Sequence, residues 1–318
     1  MNMQYNILGK TNIRVSKLCF GGLTVGPLQA NLPLEEGARV IREAFDRGVN
    51  FIDTAELYKT YGYINKALGN KYRNDIVIAT KSYAYSKETA EKSLKKALDE
   101  LNRDYIDIFL LHEQENEYTL KGHYEALEYF IKMKEKGIIR AVGISTHTIA
   151  AVKASINMDE IEVIHPIINK NGLGIQDGTV DEMVEVLKLA KDKGKGIYGM
   201  KPLGGGNLLN NIDECFEFVL NLPFLDSIAV GMQRVEEVIA NVCRFNGEKV
   251  PKEIEDKLSR QNRRLHIDFW CERCGRCVEA CKANALRIEN DKVVVDKDKC
   301  VLCGYCSSYC PLFCIKVV

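Results

Sequence analysis

The sequence lacks an excess of charge of either sign. Its 318 residues carry 44 lysines and arginines against 44 aspartates and glutamates, a formal net charge of zero. That balance leaves no electrostatic footprint for nucleic acid or an anionic membrane, and neither is expected as a partner. No apolar run approaches the roughly 18 residues of a membrane span. The stretch MNMQYNILGKTNIRVSK also lacks the apolar core of a secretion signal. These absences lead to an expected cytoplasmic location. Cysteine is scarce along most of the chain: Cys19, Cys215 and Cys243 stand alone, and the rest of the 12 lie beyond residue 270. In a reducing compartment, crowded cysteines read as metal ligands before disulfides. What is present is ordinary for a water-soluble globular chain, with 46% hydrophobic and 28% charged residues. The length allows one large domain plus a small one, or two of middling size.

From residue 17 to 246 two kinds of segment alternate. Short apolar or β-branched runs (KLCFGGL, VNFIDT, DIVIATK, YIDIFLLH, IRAVGIS, IEVIHPII, GIYGMKPL, DSIAVGM) are each followed by a stretch of helical spacing. In SKETAEKSLKKALDELN, Ser86 is a candidate N-cap, and Leu94, Leu98 and Leu101 recur at four and three residues. Eight strand–helix pairs predict an α/β fold, a closed (β/α)8 TIM barrel, with a doubly wound open sheet as the competitor. Ahead of the barrel, YNILGKTNIRVSKL reads as a hairpin turning at GKTN. After it, VPKEIEDKLSRQNRRL places Ile254, Leu258 and Leu265 on one helical face. The expected domains are therefore a barrel over 1–246, a connector helix over 247–268 and a small α+β iron–sulfur domain over 269–318.

That last segment is built twice. Cys271, Cys274, Cys277 and Cys281 repeat as Cys300, Cys303, Cys306 and Cys310, each run spaced C-x2-C-x2-C-x3-C. The spacing is the bacterial two-cluster pattern, in which the fourth cysteine of each run ligates the other cluster. Two [4Fe–4S] clusters are expected, one on Cys271, Cys274, Cys277 and Cys310, the other on Cys300, Cys303, Cys306 and Cys281. Structural zinc, the alternative, more often uses C-x2-C pairs across longer spacers. The tail resembles bacterial-type ferredoxins over its whole length, departing at Lys282, where the pattern has a proline as at Pro311. Cys314, Cys19, Cys215 and Cys243 fall outside the pattern and read as small buried hydrophobes.

Four polar residues lie at or just past successive strand ends: Asp53 and Tyr58 in FIDTAELY, Lys81 in VIATK, His112 in FLLH. Alone, a strand-end aspartate is usually a helix cap and a histidine usually packing. On strands two, three and four of a barrel, however, they face one cavity. They suit hydride transfer to a carbonyl with proton delivery. Lys81 could lower the tyrosine pKa, Asp53 could hold Lys81 charged, and His112 could polarise the carbonyl oxygen.

Residues 3–245 resemble an aldo-keto reductase, from YNILGKTNIRVSKLCFGG through GVNFIDTAELY, ATK, LLH, GIS, KPLGGG and VGMQRVEEVIAN. With its tail the chain resembles the ferredoxin-fused branch of that family. The resemblance implies an NADP(H)-binding barrel in which Tyr58 is the general acid, supported by Lys81 and Asp53, with His112 orienting the substrate. It also implies nucleotide contacts from Gly22, Leu23, Leu203 and Gly231. Ser145 matches a residue that holds the nicotinamide carboxamide. Thr146 and His165 stand where many members have asparagine and glutamine. Met200 and Lys201 stand where many have a stacking tyrosine and a serine. A thioether can pack on the ring, and Lys201 can meet pyrophosphate. Gln233, Arg234, Glu237 and Asn241 fall towards the adenosine end. Arg234 is the evident cation for a 2′-phosphate, while Ala240 replaces a common glutamate, so NADPH is favoured over NADH. Tyr61, Tyr83 and Tyr85 are candidates for the substrate rim, and Glu113 stands where many members carry an aromatic residue.

A nicotinamide yields two electrons as hydride, and each cluster takes one at a time. Three readings follow. The favoured one is an NADPH-dependent reductase of a small carbonyl compound whose clusters are structural or sense redox state. The second is a cluster-coupled oxidoreductase with an external ferredoxin or flavoprotein partner. The third is a nucleotide-binding redox sensor without turnover.

Overall fold

A computed structural model describes residues 3–71, 74–260 and 262–318. The first two residues of the N-terminal stretch and Gln261 of the expected connector lie outside them. The chain opens on a hairpin of β1 (Tyr5–Ile7) and β2 (Arg14–Ser16), paired antiparallel through the expected turn. Eight parallel strands follow: β3 (Leu18–Gly21), β4 (Phe51–Asp53), β5 (Val77–Ser82), β6 (Ile106–Leu111), β7 (Ile139–Thr146), β8 (Val163–Pro166), β9 (Gly196–Met200) and β10 (Ser227–Gly231). Each coincides with one of the eight apolar runs, β5 and β7 passing the end of theirs by one residue. β10 pairs with both β9 and β3, which closes the ring and excludes the open sheet.

Helices alternate with these strands: α1 (Leu34–Asp46), α2 (Tyr61–Leu68), α3 (Lys87–Leu101), α4 (Glu117–Gly122), α5 (Tyr124–Glu135), α6 (Ile149–Ile156), α7 (Val180–Asp192), α8 (Ile212–Leu220) and α9 (Val235–Phe245). Ser86 caps α3, its hydroxyl accepting the Thr89 N–H at 3.3 Å, and Leu94 and Leu101 are buried. Two cores result. One lies between strands and helices, and the other fills the barrel with Phe51, Val77, Ile108, Leu110 and Tyr198. Leu8 and Ile13 of the hairpin join the inner core. Gly9 makes that approach possible: its φ is +53°, and a Cβ there would stand 2.2 Å from the Gly196 nitrogen. The hairpin thus plugs one end, and the C-terminal strand ends open at the other.

Beyond α9 the expected long connector helix is cut short. α10 spans Lys252–Ser259, and Ile254 is buried. Leu265, expected on the same helical face, instead opens β11 (Leu265–Ile267). This strand pairs antiparallel with the last one, β14 (Ile315–Val317), as Leu265↔Val317 and Ile267↔Ile315. The apolar spacing that suggested a helix is overridden by a ladder to a strand some fifty residues away. Between β11 and β14 come α11 (Arg276–Ala280), the hairpin β12 (Leu286–Glu289) and β13 (Lys292–Val295), and α12 (Tyr305–Ser308). Asn290 and Asp291, at φ 48° and 58°, make the two-residue turn. The sequence repeat is also conformational: α11 and α12 each start after a left-handed glycine, Gly275 at φ 81° and Gly304 at φ 75°.

The cysteine-rich module sits on the open end of the barrel. Phe313 inserts beside Ile167 and Met200. The Asn207 amide donates to the Ile315 carbonyl at 2.9 Å. Gly206, at φ +85°, lies so close that a Cβ would be 2.1 Å from the Val317 oxygen. Among the described residues no helix is long and apolar enough to cross a membrane.

Candidate active site and cluster sites

Asp53 ends β4, Lys81 lies near the end of β5, His112 follows β6, and Tyr58 sits on a short turn after β4. Parallel registry brings these ends together. The Lys81 ammonium donates to both Asp53 oxygens at 2.8 Å and to the Thr54 carbonyl at 2.7 Å. The pair is enclosed, with Lys81 1% and Asp53 5% exposed. Burial alone would raise the Asp53 carboxyl, but the Lys81 charge, then His165, outweigh it and hold the group well below the usual carboxylate range. Tyr198, which sequence reasoning missed, donates its hydroxyl to Asp53 Oδ1 at 2.9 Å. Its only signal was a phenol two residues before Met200, on the same face of a strand. His165 stacks on Tyr198 with centroids 3.8 Å apart, and its Nδ1 donates to the Tyr198 carbonyl at 2.7 Å.

Lys81 Nζ lies 5.0 Å from the Tyr58 ring centroid. The net shift of the Tyr58 pKa is nonetheless upward. Burial, then the Asp53 and Glu113 charges, push that phenol well above its ordinary value. His112 packs edge-on to Tyr58 at 5.7 Å and is stacked by Tyr83 at 4.4 Å. Burial, then the Lys81 charge, hold it neutral well below its usual pKa. Its Nδ1 is buried without a partner, so a proton there would be a stranded donor.

Two spaces meet at Tyr58. A groove runs from Asp53 past His165, Met200, Lys201 and Leu203 to Gly231, Gln233, Glu237 and Asn241, and Leu23 also lines it. Arg263, Lys316 and Val317 overhang it. Four sequence candidates are not brought to its lining. Gly22 is buried, and the Ser145 hydroxyl accepts the Glu113 N–H at 2.9 Å. The Thr146 hydroxyl accepts the Thr148 N–H at 2.9 Å at the start of α6. Arg234 faces an adjoining cavity with Arg39 and Arg264, which shares Gln233 with the groove. The second space lies over His112 and is lined by Tyr83, Glu113, His147, Trp270 and Phe313. Of the three rim tyrosines only Tyr83 reaches it. Tyr61 is buried and bonds Thr80 through its hydroxyl at 2.7 Å, and Tyr85 is exposed outside. At the junction Lys201 bonds His147 at 2.9 Å, while Lys316 lies 3.6 Å over the Phe313 ring.

In the module, the thiols that act electrostatically on Cys277 are those of Cys310, Cys271 and Cys274. Cys306, raised first by burial, responds to Cys277 and then to Cys281, Cys303 and Cys300. Cys281, Cys300, Cys303 and Cys306 line one cavity, with Lys282 at its edge. Among the described residues no group of three or more His, Cys, Asp or Glu side chains is arranged to hold a single metal ion. The Cys310 sulfur accepts the Cys314 N–H at 3.2 Å, and the Cys281 sulfur accepts the Ala285 N–H at 3.4 Å. A bond from the Cys314 side chain, then the backbone N–H groups of Cys314 and Leu312, lower the Cys310 thiol to about 6 against the opposing effect of burial. Thiolate-favouring contacts and two fourfold thiol groups fit a pair of cubane clusters. Cys19, Cys215 and Cys314 are buried, whereas Cys243 is half-buried.

Residues 17–219 match the Aldo/keto reductase family, and residues 264–311 match a 4Fe-4S dicluster domain. The chain is 28% identical over 218 residues to L-galactose dehydrogenase of Arabidopsis thaliana, covering 65% of this chain and 67% of that protein. It is 26% identical over 186 residues to methylglyoxal reductase DkgA of Yersinia pestis, covering 55% and 65%. A solved aldo-keto reductase of Bacillus halodurans, in its holo form, superposes with a TM-score of 0.66 at 21% identity, over 81% of this chain and 96% of that one. The barrel, the matched segment and the cysteine module lead to one conclusion. The chain belongs to the aldo/keto reductase family of oxidoreductases, and it carries a C-terminal 4Fe-4S ferredoxin domain.

Proposed function

We propose that the chain is an NADP(H)-dependent reductase of aldehydes or ketones, with two [4Fe–4S] clusters on its module. One observation carries the reading. Tyr58 and His112 line a cavity that meets, at Tyr58, a groove running from Asp53, the partner of buried Lys81, to Asn241. Bound there, the nicotinamide nucleotide supplies hydride. The chain's own residues do the rest. His112 Nε2–H donates to the carbonyl oxygen and polarises it. Tyr58, kept protonated, gives its proton to that oxygen as negative charge develops, since an alkoxide is more basic than a phenolate. Lys81 then faces the new phenolate, and Asp53 with Tyr198 fixes Lys81 in place. Arg39, Arg234 and Arg264, in a lining they share with Glu36 and Glu236, offer guanidinium donors beside Gln233 for a 2′-phosphate.

Cys271, Cys274, Cys277 and Cys310 would hold one cluster, and Cys281, Cys300, Cys303 and Cys306 the other. A second reading, electron exchange between a cluster and the barrel site, draws support from Trp270 and Leu312. Both line the catalytic cavity beside cysteines of the first group. Tyr58→Phe tests the first reading. Carbonyl turnover with NADPH should fall roughly 10²–10⁴-fold, with nucleotide affinity unchanged. Turnover that persisted would remove Tyr58 as the proton donor.

A further inference from the structure

The cavity over His112 has two walls of different origin. Tyr58, Tyr83 and His112 come from the barrel, and Phe269, Trp270, Leu312 and Phe313 come from the module. Trp270 is the single tryptophan of the chain. Its indole N–H donates to the Leu312 carbonyl at 3.3 Å, which ties the two module segments of the wall together. Phe269 stands edge-on to it at 5.1 Å. Both rings are left in solvent, Phe269 71% and Trp270 39% exposed. Large aromatic surface at the mouth of a cavity marks a place where a ligand completes the burial. Neither ring lines the nucleotide groove.

Backbone conformation gives an independent sign. Glu113 at φ 49°, Lys201 at φ 58° and Phe313 at φ 49° all border this cavity, and all are non-glycine residues in the left-handed region. Such residues persist where surrounding packing over-determines them, and they gather at ligand sites. Phe313 is held by Lys316 on its face at 3.6 Å and by His147 edge-on at 6.4 Å. The chain on either side of this wall is anchored too, since Trp270 immediately precedes Cys271 and Leu312 follows Cys310 by two residues.

We propose that the iron–sulfur module sets the substrate selectivity of the barrel, with Trp270 as the specificity-determining residue for a flat, aromatic carbonyl compound. The ring of such a compound lies against Trp270, with its carbonyl directed at Tyr58 and His112. The direction of the carbonyl rests on the reductase reading, whereas the ring-binding wall does not.

The test is equilibrium titration of the cluster-loaded, NADP⁺-saturated protein with benzamide, and with isobutyramide as the aliphatic control. Trp270→Ala should weaken benzamide roughly tenfold, the loss typical of removing an aromatic anchor. It should leave isobutyramide, NADPH affinity and cluster absorbance as in the native chain. Trp270→Phe should restore most of the benzamide affinity, which a merely structural role would not. If the alanine variant fails to fold, Phe269→Ala, at the more exposed ring, should show a smaller loss in the same direction. Benzamide affinity unchanged in Trp270→Ala, or an equal loss for both amides, would overturn the proposal. Because nothing in this titration needs turnover, failure of the reductase reading would show separately, as absence of carbonyl reduction by a protein that still binds benzamide.

Discussion

Asp53, Lys81, Tyr58 and His112 were legible as a set because a strand end fixes where a side chain points. Once eight strands are counted, chemistry at their C-terminal ends must converge. The electrostatics were not legible, since they depend on which partner claims each charge. Lys81 bonds Asp53, while burial, then the Asp53 and Glu113 charges, raise the Tyr58 pKa. Tyr61 shows the same limit, because from the sequence its ring could as well have lined the rim as bonded Thr80. Three imidazoles have a consequence at this scale. His112 and His165 are buried and His147 is half-buried against Lys201, and burial is the largest cause of each depressed pKa. A depressed folded value means that the unfolded chain takes up protons the native chain refuses. Stability is therefore unaffected above the unfolded value near 6.5 and is lost as pH falls below it, by up to about 1.4 kcal/mol per pH unit per histidine. Urea denaturation between pH 7.5 and 5 should show that fall, and His147→Gln should flatten its slope by about one proton. A midpoint constant across this range would contradict the burial of these rings.

At the scale of elements, the barrel strands and the capped α3 could be read because their signals are local. The seat of the module could not. β11 exists only by pairing with β14, and nothing near Leu265 in sequence announces a partner at Val317. Phe313 and Gly206 carry the docking through contacts with residues more than a hundred positions away, Phe313 with Met200 and Gly206 with Val317. Phe313 is 2% exposed. Replacing such a ring by alanine typically costs about 3–5 kcal/mol, and here the loss falls on the seat between module and barrel. In Phe313→Ala, cluster absorbance should vanish at a lower urea concentration than the far-ultraviolet dichroism of the barrel helices. If both signals moved together and at the native midpoint, Phe313 would not be the anchor.

Across the whole molecule, two chemistries that count electrons differently share one wall. The cysteine spacing announced the ferredoxin module and the strand-end residues announced the proposed hydride site. Their adjacency became visible only when β14 was seen lying across the open end of the barrel. That position gives the module a place the sequence did not disclose: it walls one side of the cavity over His112 and overhangs the groove proposed for the nucleotide. Enclosure excludes water from the place where His112 and Tyr58 act, and so strengthens their hydrogen bonds to a developing charge. A reductase that uses its module in this way needs no electron from it. The most direct measurement is anaerobic addition of NADPH to the purified, cluster-loaded protein, with and without an aromatic aldehyde, while nucleotide and cluster absorbance are followed together. We predict NADPH oxidation matched one for one by alcohol formed, only when aldehyde is present, and no bleaching of the clusters. Bleaching by NADPH without aldehyde, with no alcohol formed when aldehyde is added, would contradict the account.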